Sequence, residues 1–181
     1  MNHSPLLAML AAMLVSSLQA PAQAQVPPSA TEIASYQGLH KAAQSGDLAL
    51  LKASLASGGK LEVRDQSGRT ALHVAAYFGK HEVMKALVLA GADPNALEGQ
   101  AYDMVTIASV ADDVDTLKAA IALGNKATNI TSPYDGTALI AAAHLGHDEV
   151  VRILIGTGAP LDHVNNLGWT ALIEAVVLGD G

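Results

Sequence analysis

The chain of 181 residues contains no cysteine. That absence excludes a disulfide framework, a Cys-ligated zinc site, a cysteine nucleophile and a lipid-modified cysteine anchor. Basic residues are also scarce. Lys and Arg number 10 against 17 Asp and Glu, a net charge of −7, which argues against a broad basic surface for nucleic acid. Aromatic residues make up only 3% of the chain although half of it is hydrophobic. What is plentiful is alanine, with 34 copies. Small side chains at that density suit closely stacked helices better than a β-sandwich.

Residues 1–24 carry no Asp, Glu, Lys or Arg. Within them Leu6–Leu18 is an apolar stretch of 13 residues, interrupted only by Ser16 and Ser17. It falls short of the roughly 20 residues needed to span a bilayer. Small residues follow and end in Ala22-Gln23-Ala24, an A-x-A cleavage pattern. The segment is expected to be a secretory signal peptide cut after Ala24, leaving an exported protein, periplasmic or secreted, with no membrane insertion. Met1–Pro5 lacks the customary Lys or Arg, so an uncleaved amphiphilic tail or a start placed too late is the alternative. Residues 25–31, with Pro27 and Pro28, read as a flexible leader.

From there the chain is periodic. Four ten-residue blocks superimpose, beginning at Gly46, Gly79, Asp112 and Gly146, with spacings of 33, 33 and 34 residues. Each has apolar residues at helical intervals and a basic residue at its seventh place: Lys52, Lys85, Lys118 and Arg152. A second block precedes them, Thr70-Ala-Leu-His-Val-Ala-Ala76, Thr137-Ala-Leu-Ile-Ala-Ala-Ala143 and Thr170-Ala-Leu-Ile-Glu-Ala-Val176. Each unit is therefore two short helices joined at a glycine and followed by a turn-rich connection. Thr70, Thr137 and Thr170 suit helix N-caps. Gly79 and Gly146 suit the left-handed end of a helix. Asp112, in the glycine position of the third unit, tolerates that conformation better than most residues.

With those residues in place, Asp65-Gln-Ser-Gly68-Arg69-Thr70-Ala-Leu-His73 followed by Gly79-Lys-His-Glu-Val83 and Gly91-Ala-Asp-Pro-Asn95 resembles an ankyrin repeat. Alanine stands at Ala71, Ala138 and Ala171, where the family usually has proline. The third unit departs further, with Asp103-Met-Val-Thr-Ile-Ala108 in place of the Thr-x-Leu-His-x-Ala core. The exported start and repeats together look like small exported bacterial ankyrin-repeat proteins. The resemblance implies an all-α solenoid with short β-hairpin fingers over residues 32–181, in four units and an incomplete fifth. It also implies that His40 and His73 serve packing, and that the concave surface binds another protein.

Candidate chemistry is sparse. His144 and His147 with Asp148 and Glu149 raise a metal site, but Gly146 lies between the two histidines at an inter-helix turn. Asp112, Asp113 and Asp115 lack the closing Glu of a calcium loop. No serine elbow or phosphate-binding glycine loop occurs. Asn129-Ile130-Thr131 matches a glycosylation acceptor. No enzyme, cofactor or metal is expected. His81 reads as a solvated helix residue and His163 as a loop residue.

The aromatic residues carry more information. In the ankyrin register Tyr77 and Phe78 close an inner helix on the concave surface, while Tyr102, Tyr134 and Trp169 fall in or near fingers, beside Arg69. Aromatics and Arg are what interface hot spots favour. His144 and Leu145 extend the same surface. The alternative is that some of these side chains cover neighbouring repeats. The expected function is a non-catalytic module for one protein partner; a broader envelope protector or chaperone-like role, or a metal protein or enzyme at His144–Glu149, are the rivals. The last unit stops at Gly179-Asp180-Gly181, where the others begin a second helix. A longer parent chain, or self-association through the incomplete repeat, is therefore expected.

Overall fold

A computed structural model describes residues 26–178. The expected signal peptide and the ending at Gly179-Asp180-Gly181 lie outside the described residues. Ten helices are present among the residues described. A six-residue helix, α1 (Ala30–Ser35), comes first. Four inner–outer pairs follow: α2 (Gly38–Ser45) with α3 (Leu48–Ala56), α4 (Ala71–Tyr77) with α5 (His81–Leu89), α6 (Met104–Val110) with α7 (Val114–Ala122), and α8 (Ala138–Leu145) with α9 (Asp148–Gly156). Helix α10 (Ala171–Leu178) is a fifth inner helix. Consecutive inner helices pack against one another, and each outer helix packs on its own inner helix.

The helix ends follow the expected chemistry. Gly46 and Gly146 sit in the left-handed region, and Asp112 adopts it too, with φ 54°. Thr137 caps α8 through a bond from the Ile140 N–H, and Thr170 caps α10 through one from Ile173. Thr70 forms a capping box with His73. The third unit solves the same problem differently: Asp103 replaces threonine and accepts from the Thr106 N–H at 2.9 Å.

Between these ends the core is a row of equivalent positions. Leu39, Leu72, Val105 and Leu139 are buried in successive inner helices, as are Ala42/Ala43, Ala75/Ala76, Ala108/Ser109 and Ala142/Ala143 behind them. The small side chains let the helices approach closely, and the larger ones fill the space between units. Each buried leucine stabilises the stack by roughly 1.5–3 kcal/mol. No unit can gain that term alone, so stability builds with each neighbour.

The fingers differ from the expected β-hairpins. Among the described residues the only bridge is Thr131 with Gly136. Each finger is instead a tight turn organised by one polar side chain. Asp65 Oδ1 accepts from the Ser67 and Arg69 N–H groups, Glu98 Oε1 from Gln100 and Tyr102, and Asn165 Oδ1 from Leu167 and Trp169. These self-contained turns need no strand. They are linked in series by backbone bonds: Gly99 N–H to Ser67 O, Ser132 N–H to Ala101 O, and Asn166 N–H to Tyr134 O. Gly99 is required at its place, because a Cβ there would lie 2.4 Å from Ser67 O.

The expected flexible leader is also corrected. From Val26 onward it is docked: Pro28 is buried, Ser29 caps α1, and Val26 O accepts from Arg69 Nη1 at 3.1 Å.

Candidate protein-binding surface

Arg69, expected at the surface, has a fully buried side chain. Its Nε donates to Asp65 Oδ2 at 2.8 Å, its Nη2 donates to Glu32 Oε1, and its guanidinium lies 5.8 Å from the Tyr77 ring centroid. Tyr36 Oη donates to Asp65 Oδ2 at 2.7 Å. The ionic states follow from these contacts. The Ser29 backbone N–H is the main influence holding Glu32 down at about 2, with Ser67, the Ser29 hydroxyl and Arg69 assisting against burial. Burial pushes the Asp65 carboxyl up, but hydrogen bonds from Tyr36 and Arg69 outweigh it and leave its pKa lowered. Burial, then the bond to Asp65, raises the Tyr36 phenol. With Val26 and Glu32 docked on it, Arg69 is therefore an internal tie rather than a surface contact.

Tyr102 is the second correction, since it too is buried. The cause lies in its finger, where the buried Glu98 carboxylate holds the Tyr102 N–H and turns the segment inward. Burial raises the pKa of Glu98 against these backbone bonds. The remaining expected contacts reach solvent. Tyr77, Phe78, Tyr134 and Trp169 are half-buried, and Leu145 is 43% exposed. Phe78 stands at the end of α4, Tyr134 in the finger closed by Thr131 and Gly136, and Trp169 in the finger organised by Asn165. His144 is half-buried, with Nδ1 bonded to Glu174 Oε2 at 2.9 Å, so that face of its ring is spoken for.

The histidines as a group tie units together. His40 Nε2–H donates to Arg69 O, His73 Nε2–H to Ala96 O, and His147 Nδ1–H to Ser109 O. His81 bonds Thr116 Oγ1, so it is not merely solvated as expected, and His163, in its loop, bonds Asp135 O. His73 is the most constrained. Its Nδ1 accepts from the Thr70 N–H, which leaves Nε2 as the donor, and burial pushes its pKa down to about 4. His144 and His147 point to different units. Among the described residues no three His, Cys, Asp or Glu side chains gather as a metal site.

A polar network in the third unit escaped sequence reasoning. Asp103 is fully buried, and its Oδ2 accepts from Asn125 Nδ2 at 2.8 Å and Asn129 Nδ2 at 2.9 Å. Asn95 Oδ1 accepts from Asn129 as well, and Asn125 Oδ1 accepts from the Val105 N–H. This cluster does across units what threonine and histidine do in the second. It also commits Asn129 Nδ2, the atom a glycan would need. The available signal was the enrichment of Asn after the outer helix, at Asn125 and Asn129. For Glu32 the available signal was the Ser29-x-x-Glu32 capping pattern.

At the far end lies an open apolar groove lined by Val151, Ile155, Leu161, Leu172 and Ala175. Leu172 and Val176 of α10 are exposed beside it.

Paired helices, turn-shaped fingers and serially linked units define a repeat scaffold. A family model for ankyrin repeats matches residues 39–118 and 104–180, and the chain belongs to the ankyrin-repeat family. It is 33% identical over 141 residues to the ankyrin repeat protein YahD of Escherichia coli, covering 77% of this chain and 70% of YahD. It is also 37% identical over 110 residues to the neurogenic locus Notch protein of Drosophila melanogaster, covering 59% of this chain but 4% of that protein. A third match, glycerophosphocholine phosphodiesterase gde1 of Schizosaccharomyces pombe, is 31% identical over 97 residues, covering 54% of this chain and 8% of that one. The chain thus spans most of YahD and a small part of the other two. Ankyrin repeats generally mediate protein–protein interaction, and proteins of this family are typically non-catalytic.

Proposed function

We propose that this protein is an exported, non-catalytic module that binds one protein partner through the inner-helix and finger side of its stack. The observation that carries the reading is the placement of the scarce aromatics. Four of the six, Tyr77, Phe78, Tyr134 and Trp169, are half-buried with part of each residue open to solvent. Held in place on one side, such rings lose little freedom on contact, which is what a hot spot requires. Leu145 adds an apolar neighbour, and His144 is positioned by Glu174. Export rests on the signal-like residues 1–24; the mature protein should begin at Gln25, which N-terminal sequencing of protein from the envelope fraction reads directly.

Capture from that fraction is the test of binding. One enriched partner, lost with Phe78→Ala but kept with Lys60→Ala, supports a specific adaptor. Many clients at comparable abundance support the broader protector. The exposed α10 face is the place for self-association, and sedimentation of Leu172→Glu against the unaltered chain tests it.

A further inference from the structure

The segment Val26–Tyr36 lies across the Asp65–Arg69 finger, yet few of its residues are buried. No residue of α1 is buried, and α1 packs on no other helix to the extent that the later helices do. Six residues are also too few to keep a helix folded alone. Its apolar hold is confined to the buried Pro28 and Tyr36 and to Ile33, half-buried against the core; the rest of the hold is polar. Arg69 supplies it. Over the Tyr77 ring and fixed by Asp65 through Nε, its guanidinium turns Nη2 to the Glu32 carboxylate and Nη1 to the Val26 carbonyl. Ser67 Oγ donates to the same Glu32 oxygen at 2.7 Å. One arginine thus reads a carboxylate and, six residues upstream, a main-chain carbonyl. That is recognition of a peptide. The net contribution of such a buried ion pair is small, because desolvation offsets attraction.

We propose that Val26–Tyr36 is a detachable strap, the resident ligand of a peptide-binding site built by Arg69, Ser67 and Tyr77. It opens as a unit to admit a segment of another protein with the same chemistry: an extended stretch, then a Ser-capped helical turn carrying Glu at its third position. The inference rests on the reading of the finger side as the binding surface, and supplies the class of partner segment for it. A closed strap lowers the apparent affinity for any such segment in proportion to the time it spends open.

The probe is a labelled peptide with the strap's own sequence, Val-Pro-Pro-Ser-Ala-Thr-Glu-Ile-Ala-Ser-Tyr. Full-length protein carrying Ser29→Ala and Glu32→Ala should bind it about tenfold or more tighter than the unaltered chain, as expected when a competing closed state is removed. The same peptide with Glu replaced by Ala should gain nothing. In the unaltered protein, the Ile33 and Tyr36 amides should exchange hydrogen at least about tenfold faster than those of Val74 and Phe78, reporting opening of the strap before the stack unfolds. Equal affinity of both proteins for the peptide, or strap amides as protected as Val74, overturns the proposal. Either result leaves the aromatic reading intact, since Phe78→Ala on a captured partner tests that separately. Conversely, a peptide that binds while Phe78→Ala changes nothing would keep the strap and remove the aromatic interface.

Discussion

The inner helices α8 and α10 carry nearly the same sequence, Thr-Ala-Leu-Ile at their starts, and meet different fates. Leu139 is 1% exposed, whereas Leu172, its counterpart 33 residues on, is 72% exposed. Ala142 is buried and its counterpart Ala175 is exposed. In the outer helices one position follows suit, with Leu51, Met84 and Leu117 fully buried and Val151 half-exposed, while Val150 and Leu154 beside it stay buried. The local code is the same; the neighbour differs. In a stacked repeat, what a side chain contributes is decided by the unit that follows it.

That comparison can be broken by substitution. Leu139→Ala should lower the unfolding free energy by about 2–5 kcal/mol, a cavity cost. Leu172→Ala should stay within about 0.5 kcal/mol, as for an exposed site. Urea titrations of the two variants give both numbers, and equal losses would show that α10 is as well covered as α8.

A second prediction sharpens the contrast within the middle of the stack. Asp103→Ala takes the side-chain acceptor from the Thr106 N–H and leaves the Asn125 and Asn129 amides only Asn95 Oδ1 to share in a buried site, and should cost about 3 kcal/mol. The peripheral acid Glu149, whose partner Arg152 is exposed, should cost nothing measurable when replaced.

Acid sensitivity separates the interior from the ends as well. The folded pKa of His73, about 4, lies below its ordinary value of 6.5, so the unfolded chain binds the proton first. Stability is full above pH 6.5 and is lost as the pH falls towards 4, by about 3 kcal/mol in total. Stability measured across that window should flatten in His73→Gln. Glu32, held down at about 2 against 4.5, acts lower: its contribution is present above pH 4.5 and disappears as the pH falls towards 2. Its loss is the smaller of the two, because the carboxylate is partly solvated.

Much of this architecture was legible beforehand. The spacing of Gly46, Gly79, Asp112 and Gly146 placed the inter-helix turns, including the left-handed Asp112, because that conformation selects few residues. The Thr70, Thr137 and Thr170 caps were legible for the same local reason. What depended on contacts between units was not. Arg69 reads as an interface residue by type, and only the docked leader, with Glu32 in reach, removes it from the surface. Tyr102 reads as a finger aromatic until Glu98 draws its finger inward. The third unit lacks the threonine and histidine signature, yet Asp103 with Asn125 and Asn129 rebuilds the tie from residues 22 and 26 positions away. Local rules fix turns and caps; long-range polar ties have no short pattern to announce them.

The functional contrast between the half-exposed aromatics and the bare α10 face is tested most directly by one affinity measurement. The partner captured from the envelope is titrated against the unaltered protein, Phe78→Ala and Leu172→Ala, each first shown to be folded. Phe78→Ala should weaken binding by more than about 2 kcal/mol, the range of a hot spot, and Leu172→Ala should leave it unchanged. Loss with Leu172→Ala and none with Phe78→Ala would move the interface to the end of the stack and contradict the account.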